Sequence, residues 1–251
     1  MRESQSEHYS YRVYRDPATV RSFDEKRFGG PIGEIVADTQ ARVITTFIGP
    51  AQGRRILDVG TGTGRAALLL AGCGGVVTAV DASEEMLDLA RERAAAQSVA
   101  VAFQPGDAHA LEFSDRSFDA VVSLRVLMHT PAWRQVIAEM CRVADQIVIF
   151  DYPARRSFAA VQAAIRAIIA RLGARTEAYR VFSHAEIARE LTKNGYRVRS
   201  VHRLFVLPIA AHKAIGSQRF TMWIERRLDD AGLLRFLGSP VTLVAERCVS
   251  S

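Results

Sequence analysis

Ile56-Leu57-Asp58-Val59-Gly60-Thr61-Gly62-Thr63-Gly64-Arg65 is the stretch that decides the fold. An apolar run of β character ends in an acid, breaks into alternating glycines and leads into Ala66-Ala67-Leu68-Leu69-Leu70, a run suited to a helix. Glycines at alternate positions accept positive φ and let a ligand lie against main-chain N–H groups where a helix begins. The pattern is strand, tight turn, helix.

Three nucleotide-binding designs compete for such a loop. Read from Gly60, the dinucleotide fingerprint asks for glycine at the position of Arg65; read from Gly62, it is met only in the looser form ending at Ala67. A P-loop needs Gly-Lys-Ser/Thr at its end and finds none here. One strand further on, Val76-Val77-Thr78-Ala79-Val80 is apolar and ends in Asp81, the spacing at which an open α/β sheet puts a carboxylate onto ribose hydroxyls. Asp58 and Asp81 close two consecutive strands and flank one crevice.

At these residues the chain resembles the class I S-adenosylmethionine-dependent methyltransferases of the small-molecule type. Asp58 to Gly64 is similar to the family's first motif, and Asp81-Ala82-Ser83-Glu84-Glu85-Met86-Leu87 to its second. Gly106-Asp107-Ala108 resembles the turn whose acid faces the adenine amino group. Ser117-Phe118-Asp119-Ala120-Val121-Val122-Ser123-Leu124 resembles the fourth strand, after which the family approaches the methionine portion of the cofactor. Four motifs in order displace the dinucleotide reading. The resemblance covers residues 50–152 well and the two ends loosely.

The resemblance implies S-adenosyl-L-methionine as methyl donor, with S-adenosyl-L-homocysteine as product. Its binding site would comprise Asp58, Gly60, Thr61, Gly62, Gly64, Asp81, Ala82, Met86, Asp107, Ala108 and Leu124. Asp81 would hold the ribose, Asp58 would sit near the ammonium group directly or through water, and Leu124 would act through its backbone. No metal ligands are expected, because Cys73, Cys141 and Cys248 are odd in number and far apart.

Working outward, residues 1–50 read as a helical cap, with Ile32, Ile35, Val36, Val43 and Phe47 at a rough helical period and Gly49-Pro50 as the stop. Tyr11 and Tyr14 are candidates to close over the cofactor. Residues 51–251 read as the core: strands near 55–59, 76–80, 99–104, 118–123 and 146–151, with helices after Gly62, Ser83 and Pro131. A helix carries Phe158, Val161, Ile165, Ile168 and Leu172 on one face, a second starts at the cap Ser183, and strands follow at 196–207 and 241–245. The fold expected is α/β and doubly wound: a mostly parallel seven-stranded sheet with helices on both faces and a helical cap. In the family the last two strands form an antiparallel edge, and here about 33 residues stand between them, from Pro208 to Pro240. Phe220, Trp223, Ile224, Leu228, Ala231 and Leu234 recur there at helical spacing and are expected to pack inward as a lid. Arg219, Arg226, Arg227 and Arg235 beside them leave a peripheral membrane contact open.

Composition sets outer bounds. A chain of 251 residues can bury a full α/β core. It has no run of about eighteen apolar residues and a polar N-terminus, so the cytoplasm is the expected compartment. The net charge of +6 is uneven: residues 154–251 carry 17 Lys/Arg against 7 Asp/Glu. The arginines are scattered and few aromatics lie among them, which weighs against a nucleic-acid partner.

Methyl transfer rests on positioning and water exclusion, so no universal catalytic residue is expected. Two histidines are candidates for a general base: His129, just past the fourth strand, and His212 in the inserted segment. Arg125 is a candidate for holding an anionic substrate. The function expected is methyl transfer to oxygen or carbon of a small-molecule or lipid-like acceptor. The rivals are a nucleic-acid methyltransferase, disfavoured by Leu124-Arg125-Val126-Leu127 where such enzymes carry an Asn/Asp-Pro-Pro-Tyr type of tetrapeptide, and a cofactor-binding regulatory subunit without catalysis. The acceptor and the oligomeric state are not written in the sequence.

Overall fold

The computed structural model describes residues 24–25, 27–171 and 179–248. Tyr11, Tyr14 and Leu172 lie outside them. In chain order the elements are α1 (Gly30–Ile48), β1 (Arg55–Val59), α2 (Arg65–Gly72), β2 (Val76–Asp81), α3 (Glu84–Ala96), β3 (Val101–Pro105), β4 (Phe118–Ser123), α4 (Trp133–Val143), β5 (Ala144–Tyr152), α5 (Phe158–Arg171), α6 (His184–Lys193), β6 (Tyr196–Phe205), α7 (Ile209–Ile215), α8 (Gln218–Asp230), α9 (Leu234–Leu237) and β7 (Ser239–Arg247). The strands form one seven-stranded sheet in the order β3-β2-β1-β4-β5-β7-β6. Strands β1 to β5 pair in parallel, and β7 runs antiparallel to both β5 and β6.

Side chains alternate across the strands and feed two cores. Ile56, Val77, Ala79, Ala120, Val122 and Ile149 pack under α1 and α2, against Val43, Ile44, Phe47, Ala67 and Leu70. Leu57, Val59, Val121, Val148 and Phe150 point to the other face, where α4 and α6 supply Trp133, Val136, Ile137, Met140, Ile187 and Leu191. Burial on both faces is why these strands read as nearly continuous apolar runs. The chain turns outward from β1 in both directions, to β2 on one side and β4 on the other, so the switch in strand order opens a crevice at their carboxyl ends. The glycine loop leaves β1 at that point and Leu124 leaves β4.

Helix ends follow local chemistry. Ser83 and Ser183 cap α3 and α6 by accepting from Met86 N and Glu186 N. Strand β6 stops at Phe205 because the next two main-chain N–H groups, of Val206 and Leu207, donate to the Glu225 carboxylate at 2.7 and 2.9 Å.

That carboxylate also corrects the inward face expected for the inserted segment. The residues of α8 that are buried are Thr221 and Glu225, whereas Trp223 is 55% and Phe220 38% exposed, and Ala231 is exposed as well. Ile224, Leu228 and Leu234 are only partly covered. Thr221 and Glu225 face inward because His212, fully buried on α7, needs partners for both ring nitrogens: Nε2 donates to Glu225 Oε1 at 2.8 Å, and Nδ1 lies 3.0 Å from Thr221 Oγ1. A buried polar trio outweighs the apolar stripe, since an unsatisfied buried donor costs more than an exposed aromatic ring.

Candidate active site

The glycine loop is shaped by what stands next to each residue. Gly60 has φ +70°, and a Cβ there would lie 2.3 Å from Val126 Cγ2, so the loop after β4 can close on it only without a side chain. Gly64, with φ +83°, caps α2, and a Cβ there would lie 3.0 Å from Ala90 Cβ of α3. Gly62 differs: with φ +54°, a Cβ there would meet nothing within 4 Å. Its main chain borders open space in the cleft, and that is the room a ligand needs to lie against the loop.

Two carboxylates brace this cradle. Asp81 Oδ2 accepts from Gly62 N at 2.7 Å and Oδ1 from Ser83 N at 3.0 Å. An ionised carboxylate has about four acceptor positions, so Asp81 keeps capacity for a ligand's hydroxyls while it pins the loop. Burial pushes its pKa up, opposed by the N–H groups of Ser83, Gly62 and Ala82. Asp58 lies deeper; its Oδ2 accepts from Thr61 Oγ1 at 2.7 Å and Ala67 N at 3.1 Å. Burial raises it to about 6, with Thr61 and Ala67 opposing and the nearby Asp81 charge adding.

A pH dependence follows. Between the ordinary value near 3.8 and about 6, folded Asp58 holds a proton that the unfolded chain has released, so stability falls as pH rises through that window. The loss attributable to this one group is on the order of 2–3 kcal/mol. A cationic ligand beside Asp58 favours its ionised form, so affinity for an ammonium-bearing ligand should rise with pH over the same range. Thermal unfolding and calorimetric titration at pH 4.5 to 7 should show both trends in the wild type and neither trend from this group in Asp58→Asn.

The cleft is lined by Asp58, Gly60, Thr61, Gly62, Asp81, Ala82, Met86, Ala108, Leu124 and His129 among the residues singled out in the sequence. Gly64 stands behind the loop as the helix cap. Two expected residues are placed elsewhere. Asp107 is not among the lining residues; its Oδ1 accepts from His109 N at 2.9 Å and lies 2.7 Å from His109 Nδ1, so it stabilises its own turn while Gly106, Ala108 and His109 face the cleft. His212 does not reach the cleft either, being bound to Glu225 and Thr221 as the tether of α7 to α8.

The opposite wall was less legible. Arg27, Phe28 and Gln40 come from the segment leading into and along α1. Arg65 stacks on the Phe28 ring at 3.7 Å, and burial lowers its pKa. Asp24 locks this segment down: it accepts from Thr63 Oγ1 at 2.9 Å and pairs with Arg93 of α3. After β4, Arg125 takes a left-handed backbone with φ +62°, and its N–H donates to the buried Asp151 carboxylate at 2.5 Å. That turn carries Val126 onto Gly60 and begins the 3-10 turn Leu127–His129. His129 is buried in the cleft wall, its ring centroid 6.5 Å from that of Tyr179. Nothing local in the sequence marks Asp24 or Asp151, whose partners lie 39 and 26 residues away.

The residues present suit S-adenosylmethionine. Gly62 offers open space, Asp81 is anchored beside it, Asp58 provides a buried acid, and Met86, Ala108 and Leu124 add apolar walls. Comparison with known proteins agrees. Residues 56–146 match the family model described as a methyltransferase domain. The chain is 36% identical over 124 residues to the O-methyltransferase cnsE of Penicillium expansum, covering 47% of this chain and 45% of that one. It is 39% identical over 105 residues to a demethylmenaquinone methyltransferase of Deinococcus radiodurans, covering 40% and 44%. The chain thus spans less than half the length of these two curated relatives. In fold it is similar to magnesium protoporphyrin IX methyltransferase from Synechocystis PCC 6803, crystallised with S-adenosylhomocysteine: TM-score 0.65 and 22% identity, over 94% of this chain and 99% of that one. Residues 56–146 thus carry a methyltransferase domain, and the motifs, sheet order and cleft are those of the class I S-adenosylmethionine-dependent methyltransferase fold.

Proposed function

We propose that this protein transfers the methyl group of S-adenosylmethionine to oxygen or carbon of a small, lipid-like acceptor. The observation that carries this reading is the continuous cleft from the Asp81–Gly62 cradle to the wall made by Arg125, Val126, His129, Thr130 and Pro131. When bound, the donor supplies an electrophilic methyl on a sulfonium, open to in-line displacement. The protein's share is positioning and exclusion of water, worth several powers of ten in rate when the reacting atoms are held together. Arg27, Phe28 and Gln40, before and along α1, close one wall of the cleft, and the strand ends of the sheet supply the other. Among the relatives, one is named for methylation at oxygen and one for a quinone acceptor, which suits an apolar acceptor bearing oxygen. For such an acceptor a peripheral contact with a membrane is part of the reading.

His129 is the candidate proton acceptor. It lines the cleft on the turn after β4, within the acceptor wall, and an imidazole there can take the proton of an acceptor hydroxyl. Part of the basic C-terminal charge is used within the protein: Arg155 pairs with Glu186, Arg197 with Glu246, and Arg247 donates to the carbonyls of Cys141, Ala144 and Asp145.

The test is S-adenosylhomocysteine formation against a panel of phenols, quinones and lipids. Turnover is expected with at least one apolar phenol or quinone, and His129→Gln should lower kcat by about a hundredfold or more while cofactor affinity holds. Turnover unchanged in His129→Gln removes the proton role; binding of the donor without turnover on any acceptor returns the regulatory-subunit reading.

A further inference from the structure

Helix α8 is built the wrong way round for a helix that covers a core. Its buried side chains are Thr221 and Glu225, held by His212, while Phe220, Met222 and Trp223 stand 38%, 51% and 55% exposed. The outward rings are not scattered: the Phe220 and Trp223 centroids are 5.9 Å apart. Arg219, Arg226 and Arg227 lie on the same exposed arc, at four residues before and three and four after Trp223, all on adjacent turns of the helix. Just beyond, Phe236 of α9 is 55% exposed with Arg235 stacked 4.5 Å over its ring. On α8 itself the exposed acids are Asp229 and Asp230, in its last turn; Glu34 and Asp38 of α1 border the helix on the side of Gln218 and Met222.

Exposed aromatic rings ringed by arginine are costly in water and match an interface that offers apolar depth and negative charge together. Tryptophan and arginine partition to the headgroup level, where the ring is half buried and the guanidinium meets lipid phosphate. A second protein could cover the rings, but it would have to supply several acids opposite four arginines. An anionic bilayer supplies that charge everywhere. The surface also borders the active site: Lys213 of α7 donates to the Arg27 carbonyl at 2.9 Å and Gln218 of α8 to the Pro31 carbonyl at 2.9 Å. Arg27 and Phe28 line the cleft. No helix among the described residues is long and apolar enough to cross a membrane, so such contact would be one-sided.

We infer that the outer face of α8 and α9, with Phe220, Trp223 and Phe236 as apolar contacts and Arg219, Arg226, Arg227 and Arg235 as phosphate contacts, docks this protein onto an anionic lipid surface beside the cleft mouth. The inference rests on the lipid-like acceptor proposed above for its biological sense, but binding to lipid is measured without turnover.

The experiment is co-sedimentation of the full chain with vesicles of phosphatidylcholine alone and of phosphatidylcholine with about a third phosphatidylglycerol, at low and raised salt. The protein should sediment with the anionic vesicles, release as salt is raised, and show a blue shift in tryptophan emission that Trp223→Phe abolishes, Trp133 being buried in the core. Arg226→Glu with Arg227→Glu should weaken partitioning by about thirtyfold or more, and Phe220→Ser with Trp223→Ser by about tenfold or more. Both pairs are exposed, so folding and S-adenosylmethionine affinity should match the wild type. The inference is overturned if the wild type ignores anionic vesicles or if both double variants sediment as well as it does. It is also overturned if the aromatic pair instead dissolves a concentration-dependent dimer, which would make a second copy of the chain the occupant. Vesicle binding with no methyl transfer on any acceptor would leave the docking surface standing and count against the proposed function alone.

Discussion

Asp81→Ala is expected to lower S-adenosylmethionine affinity by about a hundredfold to ten-thousandfold. In the proposed site Asp81 accepts from two ribose hydroxyls, charge-assisted hydrogen bonds worth about 1.5–3 kcal/mol each, and the variant would lose both. The truncation also strips Gly62 N of the acceptor 2.7 Å away and Ser83 N of the acceptor 3.0 Å away, so the glycine loop loses its brace together with the ligand's anchor. Asp81→Asn separates the two effects. Its amide oxygen can keep one of these main-chain contacts while the charge is gone, and an intermediate loss of about tenfold to a hundredfold is expected. Isothermal calorimetry on the three proteins checks the series; wild-type affinity in Asp81→Ala would sink the ribose assignment.

Glu225→Ala has the largest expected effect on stability. One carboxylate satisfies three donors, the buried Val206 N and His212 Nε2 and the half-buried Leu207 N. Orphaning a buried donor costs about 1–3 kcal/mol, so a total near 4 kcal/mol is expected after partial relaxation, and a fall in Tm on the order of 10 °C for a chain of this size. The change should be local in hydrogen exchange, exposing α7, α8 and the end of β6 before the sheet. Glu225→Gln retains an acceptor oxygen and should lose about half as much. A loss below about 1 kcal/mol in Glu225→Ala would mean that the trio does not fasten the inserted segment.

These two residues show how unevenly the molecule could be read from its sequence. Asp81 was legible because strand end, turn and cap are local: the strand stops at the acid, and Ser83 two positions on starts α3. The sheet was legible for the same reason, each strand being a short apolar run bounded by turn residues. Glu225 was not, because the helical period of α8 reports that an apolar stripe exists and not which stripe faces the protein. Only the approach of His212, thirteen residues earlier, turns Thr221 and Glu225 inward and leaves Trp223 outside. Leu124 to Thr130 fell between these cases. The place of the turn was clear from the strand before it, but nothing about an arginine announces the left-handed backbone at Arg125 or its hold on Asp151. Asp107 is legible by motif alone, and the contact of its Oδ1 with His109 is not.

The inserted segment therefore has two roles set by two faces. Its inner face is a polar clasp that holds α7 and α8 to the end of β6; its outer face is aromatic and basic. The core beneath it carries the glycine loop braced by Asp81, the proposed cradle of the methyl donor.

A crystal structure with S-adenosylhomocysteine tests the central claim most directly. The account predicts the ribose on Asp81, the main chain of the ligand's amino-acid end over Gly62 toward Asp58, the adenine between Met86 and Ala108, and the sulfur directed to the wall of Leu124 and His129. Ligand density away from the Gly62–Asp81 cradle, or an adenine placed where His129 stands, would contradict it.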